Sequence, residues 1–460
     1  MPQLTSWIFA ALLIVLLGIA YQVGWSRSRG LVVASGEKLH SRSQYHGSLV
    51  AIWALLPAIA ILILWGLFGE AITNTYIMGF LPPDVAALTG PQLAQALQRI
   101  RSLASGFGVA GTPAEWEVAA GQALAQFQLI TLLIVILLAA GIGILAMFIA
   151  RTRIAPRLRA RNEVEAIVRI VLIACSAIAI LTTAGIVASL ITEAIRFFSF
   201  VSPIDFFLGT VWNPVFSSTG GGSGQYGLLP LLWGTIMVSL IAMLVALPIG
   251  LMAAIYLNQY ASPRVRAVVK PIIEMLAGIP TIVYGFFAIV TVGPFLSSLG
   301  DVVGLDVSAT SAATAGVVMG IMIIPFISSL SDDILNQVPR AMRDGSYGLG
   351  ATQSETIIRV LLPAALPGIV GAFLLAVSRA IGETMIVVLA AGNSPVLRAN
   401  PFEPISTVTV SIVNQLTGDT DFAGPQSLVA FALGLTLFAI TLVLNIVALY
   451  IVRRFREQYE

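Results

Sequence analysis

The sequence predicts an all-α protein that crosses a membrane many times, on three observations. Of its 460 residues 58% are hydrophobic and only 10% are charged, against roughly 45–50% and 25% in soluble domains. Its apolar residues gather in nine runs, each long enough to cross a hydrocarbon core of roughly 30 Å as a helix. Its Lys and Arg gather in every second loop between those runs.

The runs lie at about 6–24, 48–68, 128–150, 167–191, 228–257, 272–297, 313–330, 366–392 and 427–451. The first is read as a retained span, not a secretory signal, because MPQLTSW carries no Lys or Arg and the positive charges follow the run. Segments read as cytoplasmic hold Arg27, Arg29, Lys38 and Arg42, then six arginines from Arg151 to Arg169. Later ones hold Arg264, Arg266 and Lys270, then Arg340, Arg343 and Arg359, and finally Arg453, Arg454 and Arg456. Together these are 19 of the 24 basic residues. Arg99, Arg101, Arg196 and Arg398 fall in the external segments. The pattern expects an external N-terminus and a cytoplasmic C-terminus.

Two blocks follow. Residues 1–165 hold three spans and a polar external insert at about 69–127, with helical periodicity interrupted by Gly and Pro. The basic stretch 151–165 joins it to a second block of six spans, 166–460, and reads as a solvated loop facing anionic headgroups. The net charge of +2, spread over short loops, gives no face for nucleic acid. Cys175 sits in an apolar run and reads as a small core residue. His40 and His46 have no carboxylate or cysteine cluster beside them, so no metal site is expected. The glycine-rich run at 217–227 lacks a preceding strand and a following Lys-Ser/Thr, so it reads as a flexible external linker. No Walker-type sequence occurs, so any ATP is hydrolysed by another subunit.

The stretch from Arg340 to Asn393 organises the rest. Asp332 and Asp333, just before it, point to different faces and read as a polar helix end. Residues 344–363 read as a short helix, a turn permitted by Gly350, and a second amphipathic helix stopped before Pro363. Glu355 and Arg359, at i,i+4, read as a surface pair. Lying between two spans, this segment suits docking into a groove of a soluble partner, or is an ordinary interfacial loop. Beyond it, Arg379 and Glu383 stand four apart in the eighth run. A charge at the centre of a lone helix costs roughly 2.5–3.5 kcal/mol. On one helix face the two would partly neutralise each other, either as a structural ion pair or as a site lining a polar path. The guanidinium fork suits an oxyanion, and Gly382 permits close approach.

Residues 344–363 resemble the EAA loop of ABC importer permeases, with Asp344, Gly345 and Ser346 in place of the usual Glu, Ala and Ala, and with Gly350 and Pro363 as that loop has them. The stretches 227–257, 276–289, LPAALPGIVGAFLLAVSRAIGETM at 362–385 and AAGN at 390–393 are similar to phosphate importer permeases, of the PstC type rather than the PstA type. The resemblance covers about 200–460 and implies a type I, six-helix permease core preceded by about three extra spans. It implies an ATP-driven importer of inorganic phosphate in the inner membrane, with no cofactor and no catalytic residue in this chain. The implied partners are a PstA-like sister permease, a PstB-like ATPase dimer, a PstS-like periplasmic binding protein and membrane lipid. It implies a docking loop at about 335–363 carried by Arg343, Asp344, Gly345, Ser346, Gly350 and Pro363. The implied path residues are Arg379, Glu383, Thr384 and Ser378, with Thr281 and Tyr284 as further polar positions. Rival readings are a permease for molybdate or a phosphonate, a regulatory or assembly subunit with 1–165 as sensor, and a secondary transporter.

Overall fold

The computed structural model describes residues 2–35, 38–86, 91–109, 111–214, 224–418 and 424–455. Among them nine helices are long and apolar enough to cross a membrane, one for each apolar run. In chain order the helices are α1 (Pro2–Ser35), α2 (Ser43–Met78), α3 (Pro83–Ala86), α4 (Pro91–Ala104), α5 (Glu115–Thr152), α6 (Ala160–Phe198) and α7 (Pro203–Leu208). A two-residue hairpin, β1 (Trp212–Asn213) and β2 (Gln225–Tyr226), precedes α8 (Leu229–Ile255), α9 (Pro263–Leu276), α10 (Thr281–Phe287) and α11 (Gly293–Val303). The chain continues through α12 (Ala312–Gln337), α13 (Arg340–Gly348), α14 (Gln353–Thr356), α15 (Leu362–Gly382), α16 (Met385–Ala390), α17 (Val408–Gly418) and α18 (Pro425–Phe455). π-Helical turns occupy Tyr256–Tyr260, Ala288–Val292 and Ile357–Leu361. The chain divides into two compact units, Met1–Ile180 and Leu181–Glu460, the division falling inside α6.

In the first unit α1, α2 and α5 pack through Leu16, Ala20, Ala54, Ala58, Ala139 and Met147. Between helices in lipid, small residues like these let backbones approach. The 69–127 insert is built largely from the stretches of α2 and α5 that continue past their apolar runs, with α4 packed on α5 and tied to α2 through Arg101 and Glu70. Glu117, nearly buried, takes Arg99 Nε at 2.8 Å and its own N-cap amide, Ala114 N–H, at 3.0 Å. Tyr76 stacks on Phe127, ring centroids 4.0 Å apart. The basic join is not a free loop. His40 N–H donates to the Pro156 carbonyl at 3.0 Å, Arg161 N–H donates to Ser41 Oγ at 3.3 Å, and Ile154 is buried between them and the helices. Cys175 is exposed on α6, so it is no core residue. Burial in a membrane helix is against protein or against lipid, and an apolar run does not say which.

In the second unit α12 is the most enclosed span, with 67% of its most apolar window buried. Gly316 and Gly320, one turn apart, bring α12 onto α8: a Cβ on Gly316 would stand 2.7 Å from Ile241 Cβ, and one on Gly320 2.8 Å from Val245 Cβ and 2.9 Å from the Ala242 carbonyl oxygen. Met319, Ile323, Ala376, Ala380, Ile386 and Val387 complete the core around α12, α15 and α16. A second cluster gathers Phe197, Phe206, Trp212 and Tyr226 about the hairpin, in which Trp212 pairs with Tyr226. Most of the glycine-rich run, 217–223, lies outside the described residues; Gln225 and Tyr226, at its end, form a strand and are not linker.

Two spans differ from the runs that predict them. The sixth run, 272–297, is cut by Gly278 and Pro280, so α9 ends at Leu276 and the spanning helix is Thr281–Val303. The eighth lies earlier than 366–392. It begins at Gln353, passes through the π turn Ile357–Leu361, and ends at Gly382. Pro363 therefore does not stop the second loop helix: it occupies the first turn of α15, where the widened turn before it accommodates a residue with no N–H to give.

Replacing Gly320 by Val is expected to force α8 and α12 apart and lower stability by about 1–3 kcal/mol, read as a lower thermal-unfolding midpoint in detergent. Gly185→Ala, with open space at its Cβ in α6, raises the midpoint slightly, by at most ~1 kcal/mol.

Candidate functional site

The eighth span breaks where the charged residues stand. α15 closes at Gly382; Glu383 is extended (φ −68°, ψ 134°) and Thr384 begins the next helix (φ −115°, ψ −55°). Two side chains hold this break. Glu383 Oε1 accepts the Met385 N–H at 3.2 Å, and Thr409 Oγ1 from α17 donates to the Glu383 carbonyl at 2.9 Å. Thr409 is itself 3.0 Å from Thr407 Oγ1, and both hydroxyls are buried. Around the bend beyond α16, Asn393 adopts φ 52° and its Oδ1 accepts from Ser406 Oγ at 3.3 Å and Asn414 Nδ2 at 3.0 Å.

Arg379 is in the last turn of α15 and exposed. Its Nη2 lies 3.8 Å from Met322 Sδ, and its Cζ stands 5.8 Å from the Phe326 ring centroid, both partners on α12. No ion pair joins Arg379 to Glu383 among the described residues. The expectation that the two share one helix face and neutralise each other is therefore corrected: the helix ends between them, and Glu383 turns its carboxylate onto the backbone. Ser378 and Thr384 are half-buried beside them. Tyr284 is buried with its hydroxyl on the Leu276 carbonyl at 2.8 Å, bracing the break before α10.

The loop between α12 and α15 is a helix-turn-helix. Arg343, Asp344, Gly345 and Ser346 lie in α13; Gly350 (φ 87°) makes the turn; α14 follows. Ser346 Oγ and Thr356 Oγ1, 2.9 Å apart, pin the two helices together. Leu349 at the tip is 91% exposed. Glu355 is not in an ion pair with Arg359. Its carboxylate takes Thr352 N–H and Oγ1, both at 2.9 Å, while Thr352 caps Glu355 N–H, a reciprocal capping box. Thr-Gln-Ser-Glu is the sequence signature of such a box, and it was there to be read.

The residue that sequence reasoning missed is Asp332. It is not a polar helix end: its side chain is 3% exposed, while Asp333 beside it is 61% exposed. Arg266 Nη2 donates to both carboxylate oxygens at 2.9 Å, Lys270 Nζ at 2.7 Å and Asn258 Nδ2 at 2.6 Å. The hydrogen bond to Asp332 pushes the Lys270 ammonium above the usual lysine range, so Lys270 stays charged through neutral pH and its contribution is lost as pH rises through that raised value. A basic amphipathic segment after one span and a carboxylate inside another were the available signals.

Two family models match the chain. One, described as a phosphate ATP-binding cassette transporter, covers residues 10–182; the other, a binding-protein-dependent transport system inner membrane component, covers 246–457. A probable ABC transporter permease of Bacillus subtilis, YqgH, is 32% identical over 288 residues, 62% of this chain and 90% of that protein. The phosphate transport system permease protein PstC of Mesorhizobium japonicum is 34% identical over 258 residues, 53% of this chain and 76% of that protein. The probable PstC of Methanocaldococcus jannaschii is 34% identical over 266 residues, 55% and 83%.

The chain belongs to the PstC family of phosphate ABC-transporter permeases.

As a PstC-family permease it is a multi-pass inner-membrane protein with the type I ABC importer core and additional N-terminal helices. It is a transport subunit, not an enzyme; ATP hydrolysis and substrate capture belong to separate subunits of such a system.

Thr409→Val is expected to leave the Glu383 carbonyl without its donor and to cost about 1–3 kcal/mol, measured by thermal unfolding in detergent. Thr436→Val, which removes only a hydroxyl bonded within its own helix, leaves the midpoint unchanged.

Proposed function

We propose that this permease, with a PstA-like sister permease, forms the path by which inorganic phosphate enters the cell. A PstB-like ATPase dimer would dock on the loop at about 335–363, and a PstS-like protein would deliver phosphate from outside. Residues 166–460 act as the six-helix core and 1–165 as an extension, with the N-terminus outside and the basic loops and C-terminus in the cytoplasm. The exposed tip of α13, with Leu349 forward and Asp344 and Gly345 uncovered, supports docking into a groove of a soluble partner.

One observation carries the reading: an exposed guanidinium at a helix break, held by a thioether and an aromatic ring and not by a carboxylate. Its planar fork can take a partly dehydrated oxyanion, because the Met322 sulfur takes only one weak N–H donation and the ring takes none. Conduction needs sites that also release, and the single arginine provides one strong ligand rather than an enclosing cage. Glu383 serves that site through the backbone, fixing where α15 stops and α16 starts. The cycle then needs no covalent step in this chain, only alternation between outward and inward states driven from the loop.

In a reconstituted complex Arg379→Ala is expected to lower phosphate uptake by about tenfold or more, the equivalent of the roughly 1.5–3 kcal/mol of charge-assisted hydrogen bonding. Glu383→Gln is expected to lose less, since an amide oxygen still caps Met385. Normal uptake by both variants overturns the assignment, and uptake competed more strongly by molybdate or a phosphonate than by phosphate moves the substrate within the oxyanions.

A further inference from the structure

We propose that Asp332 is a positioning residue of the transport cycle, whose buried carboxylate clamps α9 and the π turn before it to α12, so that movement of the docking loop reaches the helix that supports Arg379. This rests on the transport reading above.

Three sets of contacts carry it. The first is the clamp itself. Asp332 accepts from Arg266, Lys270 and Asn258, three side chains from two elements, and the Asp332 carbonyl accepts from Asn336 at 2.8 Å and from Asn258 at 3.3 Å. The roughly four acceptor positions of a carboxylate are thereby used.

The second is the link to the loop. Gln353 Nε2, in α14, donates to the Gln259 carbonyl at 2.6 Å. Gln259 is next to Asn258 and its side-chain amide donates to Asn258 Oδ1. From loop to clamp the connection is Gln353, Gln259, Asn258, Asp332, with hydrogen bonds at each side-chain step. It passes through a π-helical turn, whose loosened ladder is the part of a helix best able to change register.

The third is the link to the site. Asp332 shares α12 with Phe326 and Met322, six and ten residues away, about 9 and 15 Å along the axis. Both touch Arg379. Between Phe326 and Asp332, Gly250 seats α8 against Ile327, and beyond Met322, toward the start of α12, Gly316 and Gly320 seat it on α8 again. Packing this close favours discrete arrangements of α12 over continuous deformation, although Pro325 interrupts its hydrogen-bond ladder between Met322 and Phe326.

A purely structural role would not require these charges. A buried ion pair adds little to stability over well-packed neutral residues. What charge adds is a join that resists being pulled apart: Arg266 and Lys270 are each about a third exposed and could turn to water, but Asp332 is 3% exposed and would be left a stranded charge.

The test uses the whole transporter in liposomes, this chain with its sister permease, the ATPase and the binding protein, with ATP hydrolysis and phosphate uptake measured together. Asp332→Asn is expected to assemble and to hydrolyse ATP, to lose stimulation by the phosphate-loaded binding protein, and to spend about tenfold more ATP per phosphate, within the usual 5–150-fold range of a coupling between sites. Asp332→Glu is expected to recover most of the coupling. If Asp332→Asn fails to assemble, the neutral triple variant Asp332→Asn, Arg266→Gln, Lys270→Gln takes its place and is expected to show the same uncoupling. Wild-type coupling in either neutral variant overturns the proposal. So does a proportional fall of hydrolysis and uptake, and so does failure of both variants to assemble, which leaves Asp332 a structural residue. Failure of the transport reading shows elsewhere: a wild-type complex that hydrolyses ATP on meeting the binding protein but takes up no phosphate refutes the substrate, while ATPase stimulation still reports on the clamp.

Discussion

Breaking a helix at membrane depth exposes backbone groups that hydrocarbon cannot satisfy, and each would cost several kcal/mol if left unpaired. That constraint shapes the second unit. The chain stops α15 at Gly382 and restarts at Met385, and the groups freed at Glu383 and Met385 are taken up by the Glu383 carboxylate and the Thr409 hydroxyl. The start of α17 meets the same need: Val408 N–H finds Thr235 Oγ1 on α8 at 3.1 Å, and the polar residues Thr407, Thr409, Ser411 and Gln415 in and just before α17 are all buried. Irregular backbone in a membrane is tolerated where protein or a water-filled cavity surrounds it, so a braced break marks where the lipid is kept away.

Two levels of α12 handle charge in opposite ways. Toward its C-terminal end Asp332 is enclosed and answered by two cations and an amide; near its middle, Met322 and Phe326 answer the exposed Arg379 of α15 with polarisable, uncharged groups. The first arrangement is strong and specific because Asp332, 3% exposed, has no water to replace a partner that is lost. The second is weak because of its partners: a thioether takes one long N–H donation and a ring face takes none, so most of the guanidinium's donors stay open. A single helix thus carries a saturated ionic join and supports an unsaturated cation.

Much of the fold was legible because its rules are local. Nine spans, their alternation of basic loops and the helical insert follow from run length, charge side and periodicity, which need no knowledge of partners. What stayed hidden was decided across the chain. Arg379 and Glu383 look paired at i,i+4 because spacing assumes an unbroken helix, whereas Thr409, thirty residues on, stabilises the ending of that helix. Asp332 looks like a helix end because its cations lie more than sixty residues earlier. Pro363 looks like a stop because the preceding π turn has no sequence rule comparable to a cap. Cys175 looks like core because apolar sequence does not distinguish lipid from protein. Glu355 differs from these: the Thr352 capping box is a local signal, and an ion pair with Arg359 was simply the weaker of two local alternatives.

The helix ending also changes what Arg379 is worth to a passing anion. Were α15 to continue through Glu383, a carboxylate one turn away would share the guanidinium's field, and an oxyanion arriving there would meet a nearly neutral pair. As the chain stands, Arg379 lies in the last turn of α15, where the unpaired carbonyls carry about half a negative charge and favour a cation by typically 0.3–1 kcal/mol. That is enough to help keep a guanidinium in place and too little to cancel it. An anion arriving there would therefore meet a cation that is oriented but not neutralised. Glu383, by spending its carboxylate on the Met385 amide, keeps its own charge in the site without spending Arg379's donors. On the transport reading proposed above, position and partial compensation, rather than an ion pair, would set how tightly an anion is held at this bend.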